Sequence, residues 1–110
     1  MPDLFFNTRI VATARQLGVE VETCAPDQLA ERCAVAQPAL AIVDLQVPDN
    51  LEAVRALRRA AATRALRVVG FYSHVDHATR AAALEAGVTE VLPRSAFTTR
   101  LALLLAGEPR

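Results

Sequence analysis

The sequence predicts one α/β domain, a doubly wound parallel sheet with helices on both faces. Three observations carry this. The chain has 110 residues, enough for one compact domain and too few for two. Helical and extended patterns alternate along its whole length, at the pitch of right-handed crossovers onto a parallel sheet. The stretch Pro38 to Leu51 opens with Leu40, Ile42 and Val43, apolar on both faces of an extended strand, as in a strand covered on both sides. That strand delivers Asp44 to its far end, and open parallel sheets gather ligands beyond the carboxyl ends of their strands.

The elements follow in order. Asp3 is placed as the N-cap of a first helix, facing the open amides of its first turn. Phe6, Ile10, Ala14 and Leu17 recur at helical spacing, with Thr8, Arg9, Ala12, Arg15 and Gln16 on the other side. Gly18 suits the left-handed turn that ends it. Val19 to Thr23 alternates strictly and predicts a half-exposed edge strand. Pro26 suits the first turn of a second helix running to about Val35, with Leu29 and Cys33 inward, and Gln37-Pro38 breaks it. The central strand spans Ala39 to Leu45. Asn50 is the expected cap of a third helix, with Leu51, Val54 and Leu57 inward and Glu52, Arg55, Arg58 and Arg59 outward. Leu66 to Phe71 is a second buried strand, and Tyr72 to Asp76 its exit loop. Asp76 is the expected cap of a fourth helix ending at Gly87. Val88 to Leu92 is a short strand followed by Pro93-Arg94-Ser95, with Ser95 as cap of a last helix, Ala96 to Ala106. That helix carries Phe97, Leu101, Leu104 and Leu105 inward. All strands enter the sheet in one direction, so Asp44, the Tyr72-Ser73 loop and Arg94 are expected at one edge.

Composition narrows the function classes. The net charge is zero, which gives no general pull toward nucleic acid or anionic lipid. Every basic residue is Arg; there is no Lys. Arg55, Arg58, Arg59, Arg64 and Arg67 read as a solvated helix face rather than a nucleic-acid surface, because no aromatics are interleaved. Cys24 and Cys33 fit neither a disulfide scaffold nor a zinc pattern and read as reduced thiols. His74 and His77 lack a third ligand in view. No Gly-rich or Ser/Thr-rich phosphate loop follows any strand, which argues against a flavin or nucleotide binder. No apolar run approaches the ~20 residues of a membrane span, and no signal-peptide pattern opens the chain. A soluble, cytoplasmic protein is the expectation.

Two segments carry a family resemblance. Pro38-Ala-Leu-Ala-Ile-Val-Asp-Leu-Gln-Val-Pro-Asp-Asn50 and Ala81-Ala-Ala-Leu-Glu-Ala-Gly-Val-Thr-Glu-Val-Leu92, at this separation, resemble the response-regulator receiver domain of bacterial phosphorelays. The resemblance covers nearly the whole chain. It implies the flavodoxin-like fold and a two-component signalling module rather than an enzyme. It places Asp44 at the phosphoacceptor position, where the aspartate attacks a phosphohistidine of a histidine kinase. It implies Mg2+ held by Asp44 and an acid near the first strand, for which Asp3 stands nearest. The phosphate-gripping hydroxyl position falls on Tyr72, with Ser73 one residue later; the lysine position is Arg94; the aromatic output position is Val91. These departures imply degenerate phosphorylation chemistry, with no cofactor, or with Mg2+ if the site is active.

Each site residue has two readings. Asp44 is a phosphoacceptor or a carboxylate that caps loop amides. Asp3 is a metal ligand or a helix N-cap. Arg94 is a surface arginine or a partner of Asp44, standing in for the metal. The first strand of the resembled fold is nearly absent: it should lie between the second and third, yet Met1 to Phe6 precedes a helix, and Pro2 cannot donate a backbone bond. Either Val19–Thr23 shifts to pair with the central strand, giving a four-stranded sheet, or a second copy covers the opening. Phe5, Phe6 and Ile10 beside the gap point to a homodimer. The last helix and its neighbouring strand are the alternative interface.

Overall fold

The structure is a computed structural model that describes residues 4–47, 49–73 and 77–106, with side chains from Ile10 onward. Met1, Pro2, Asp3, His74 and Asp76, and the side chains of Phe5, Phe6, Thr8 and Arg9, lie outside the described residues. Helix α1 spans Leu4–Leu17. A short 3-10 turn, Pro26–Gln28, leads into α2, Leu29–Ala36. Strand β1 is Leu40–Asp44, α3 Asp49–Arg59, β2 Arg67–Tyr72, α4 His77–Ala86, β3 Glu90–Pro93 and α5 Arg94–Leu105. The sheet runs β1-β2-β3 with both pairings parallel, which is the doubly wound α/β architecture the alternation predicts.

Strand periodicity sorts the core into two layers. Ala41, Val43 and Leu45 of the β1 segment join Val68 and Tyr72 of β2 against Cys33 of α2, Val54 and Leu57 of α3 and Ala83 of α4. Val69 and Phe71 take the opposite face, with Leu40 and Ile42 packed alongside, against Ile10 of α1 and Phe97, Leu101 and Leu104 of α5. Val54, Leu57, Val68, Val69 and Phe97 have no exposed surface. Each such side chain contributes roughly 1.5–3 kcal/mol by leaving water. Gly70 admits this packing, because a Cβ there would stand 2.6 Å from Leu45 Cδ2. Helix ends follow the glycines: Gly18 and Gly87 have φ of +72° and +112°, a region open to glycine.

Several expectations are corrected. Val19–Thr23 forms no strand, and Val21 is exposed. Alternation makes a strand only where a neighbouring strand takes its backbone bonds, and among the described residues none lies beside this segment. The four-stranded sheet is therefore absent among the described residues, and β1 stands at the sheet's edge. Leu45 N–H donates to Phe71 O at 2.9 Å, so by alternation Leu40, Ile42 and Asp44 turn their backbone groups to the open side. Leu17, expected inward, is 44 % exposed at the last residue of α1. Asn50 lies inside the first turn of α3 rather than capping it, and its amide is used elsewhere. Ser95 is the second residue of α5; Pro93 holds the cap position with no side-chain bond. Arg58, expected outward, turns in and donates to the carbonyls of Gly87, Leu66 and Arg64.

Candidate functional site

The carboxyl edge of the sheet brings the sequence-selected residues together. Asp44, Phe71 and Leu92 share one row of the register, and Tyr72 pairs with Pro93 one step on. Gln46, Ser73 and Arg94 follow one step beyond that. Parallel strands force this convergence, since every exit loop must leave from the same edge.

Asp44 is half-buried at the end of β1. Its Oδ1 accepts the Gln46 N–H at 2.9 Å, an Asx turn that folds the exit loop back on the strand. Its main-chain oxygen, facing the open side of the sheet, accepts Asn50 Nδ2 at 2.8 Å and the Val47 N–H at 3.2 Å. Asn50 thus supplies a donor where the next strand's amide is missing. Across the row, the Ser73 N–H donates to Gln46 Oε1 at 3.0 Å. One glutamine side chain therefore ties the loop after β1 to the loop after β2.

The positions that the resemblance assigns to a phosphate grip sit as follows. Tyr72 is buried in the β1–α3 layer of the core. Ser73 is exposed beyond it. Arg94 opens α5, and its guanidinium carbon stands 6.0 Å above the Phe71 ring, the range of a cation–π contact. Phe71 in turn stacks on Phe97 at 4.9 Å between centroids. Val91 is 6 % exposed and packs in the core. Among the described residues no three of His, Cys, Asp or Glu group as a metal site. Toward Mg2+ they supply the Asp44 carboxylate, while Asp3 lies outside them. His77 is exposed at the start of α4.

The arginine cluster divides. Arg55 and Arg59 pair with Glu52, and Arg59 holds its carboxyl below the ordinary range. Arg67 pairs with Glu90, as does Arg100 at 3.1 Å, and Arg67 chiefly lowers the Glu90 carboxyl. Arg58 is turned into the molecule. Cys24 is exposed and Cys33 buried; both are unbridged thiols, pushed up mainly by partial burial. Gln46 and Asn50 are the site residues that sequence reasoning missed. The one signal was their spacing, two and six residues past a strand-terminal carboxylate.

No protein-family description matches the sequence, and no curated protein matches it. Among solved structures it is similar to a response regulator from Hahella chejuensis, with a TM-score of 0.78 over 96 % of this chain and 88 % of that one, at 16 % identity. At that identity the likeness is one of fold. The chain has a receiver-like, doubly wound α/β fold. Among the described residues no helix is long and apolar enough to cross a membrane.

Proposed function

We propose that this chain is a receiver-like interaction module of a bacterial two-component-type system, cytoplasmic, with degenerate phosphorylation chemistry. Its partner is a protein, a histidine kinase or an output protein. One observation carries the reading: the loop positions that would grip a phosphoryl group are engaged internally. The Tyr72 ring belongs to the core, and the Ser73 amide is held by Gln46. With the Tyr72 ring in the core and no lysine in the chain to gather charge, phosphoryl transfer to Asp44 loses electrostatic support. The open edge of β1 supports self-association as the way its unpaired backbone groups are met, giving a homodimer.

A second reading, an active phosphoacceptor served by a histidine kinase and Mg2+, draws on Asp44 itself. Its carboxylate is retained, half-buried, at the ligand-gathering edge of the sheet. Acetyl phosphate with Mg2+, followed by intact-mass measurement, separates the two. The degenerate reading expects an unchanged mass. A phosphoryl addition that vanishes in Asp44→Asn overturns it.

A further inference from the structure

We infer that the open edge of β1 is a strand-addition site: the partner protein docks by laying one extended segment, apolar on both faces, parallel to Leu40–Asp44. The inference rests on the proposed reading of the chain as a protein-docking module and names the contact. Self-association and partner docking then exclude each other, since both use this edge.

The edge carries no device that keeps another strand off. Edge strands are commonly blunted by Lys, Pro, an inward charge or a bulge. Here Leu40 to Val43 reads Leu-Ala-Ile-Val, and its register with β2 is unbroken. Leu40 and Ile42 stay half-buried. Among the described residues no strand lies beyond β1, and no turn or loop bond reaches the backbone of Leu40 or Ile42.

Asp44 sets the direction of the incoming segment. Its main-chain oxygen already accepts Asn50 Nδ2 at 2.8 Å and the Val47 N–H at 3.2 Å. The edge still offers the N–H and oxygen of Leu40 and of Ile42, and the N–H of Asp44. A parallel segment takes an oxygen and an N–H two residues apart. It meets Leu40 O with the Ile42 N–H, then Ile42 O with the Asp44 N–H, and needs nothing from Asp44 O. An antiparallel segment pairs reciprocally with single residues, so opposite Asp44 it asks for the oxygen that Asn50 holds. A second copy related by a two-fold axis has to run antiparallel, because parallel copies would set N–H against N–H.

The helix layers set the thickness of the occupant. α4 packs on β3 and α3, and α3 packs on α2, so α2 lies at the β1 end of its layer. Three helices side by side span about 16–20 Å between outer axes, and three strands about 10 Å. α2 therefore overhangs the edge by roughly the width of one strand. On the other face α5 covers β2 and β3, and α1 lies beside α5. A single strand fits under this roof, whereas a second copy brings its own α2 to the same place. Helix layers above and below call for a segment apolar on both faces.

The test uses the full chain, labelled with nitrogen-15, and the probe peptide acetyl-Lys-Val-Ile-Val-Val-Thr-Lys-amide. At saturation the amide hydrogen exchange of Ile42 and Asp44 should slow about tenfold or more, while Ala41 and Val43, which face β2, keep their rates. The same peptide N-methylated at its three central residues should have no such effect. A nitroxide at the peptide's amino end should broaden Ala39 more than Gln46. Unchanged exchange at Ile42 and Asp44 overturns the proposal. Equal protection by the N-methylated peptide, which reports apolar adhesion, overturns it as well, and stronger broadening at Gln46 refutes the parallel pairing. Protection that rises with protein concentration and that the peptide does not raise gives the edge to a second copy and refutes the inference. Phosphorylation by acetyl phosphate would sink the degenerate reading, and the edge would still be judged on the exchange of Ile42 and Asp44.

Discussion

Replacing Arg58 with Met removes a guanidinium that joins three separate segments, while keeping an apolar stem of similar reach. Nε and Nη2 donate to Gly87 O at 2.9 and 2.7 Å, locking the end of α4 onto α3. Nη1 donates to Leu66 O at 2.6 Å and Arg64 O at 2.9 Å, fixing the turn that enters β2. The Arg64 carbonyl lies in an exposed bond and recovers with water; the Gly87 and Leu66 carbonyls are in part-buried bonds. Bonds from a charged donor contribute about 1.5–3 kcal/mol each, so losing those two carbonyls' partner costs about 3–4 kcal/mol. For a domain of this size that lowers Tm by about 12–16 °C. Thermal and urea melts followed by circular dichroism read it directly. Arg55→Met, on the same helix and paired at 3.4 Å with the exposed Glu52, is the control and should shift stability by no more than about 0.5 kcal/mol. If Arg58→Met melts within about 2 °C of the parent, the guanidinium is not the staple argued here.

Gly87→Ala meets both a φ of +112° and an Arg58 Cγ at 2.6 Å from the new Cβ. It should destabilise by about 2 kcal/mol or more in the parent and by about 1 kcal/mol less in an Arg58→Ala background, where only the backbone penalty remains; additive losses would dismiss the steric account. Glu90, lowered chiefly by Arg67 and then by Arg100, stabilises fully above the unfolded carboxylate value of about 4.3. That contribution fades as pH falls through the lower folded value. Melts of Glu90→Gln should therefore lie below the parent's at neutral pH and converge with them in acid, and a gap constant with pH would rule this out. Light scattering across a dilution series should give a mass above the 11.8 kDa monomer that falls on dilution; a constant monomer would mean the β1 edge is met within one chain.

The elements that sequence disclosed are those whose signal is local. Gly18 and Gly87 mark helix ends because only a residue without a Cβ takes their φ freely. Leu40 to Val43 betrayed a strand covered on both sides, and its residues divide between two core layers. Val19–Thr23 misled because its alternation is a property of five residues, while a strand is a property of two segments. Arg58 misled for a related reason. It sits four residues after the buried Val54, so its Cβ borders the inward stripe. Whether a long cation there turns out or in depends on what it meets, and here it meets unpaired carbonyls from segments 29 and 8 residues away.

The candidate site was legible in position and illegible in bonding. Asp44 could be placed because a strand end is a position along one element. Its partners could not, because the Gln46–Ser73 bond depends on how two exit loops lie against each other. The departures from the receiver pattern share a direction. Tyr72 and Val91, which the resemblance would set at the hydroxyl and aromatic positions, are 6 % exposed and packed among core residues. Arg94, which the resemblance would set at the lysine position, lies over Phe71, whose ring stacks on the fully buried Phe97. Residues that a phosphoryl switch would keep movable are here tied to packing and to neighbouring loops. Movement at such positions would disturb the core itself, and a close-packed core resists small displacements. That is the physical reason to expect a surface that holds one shape and is read by a partner.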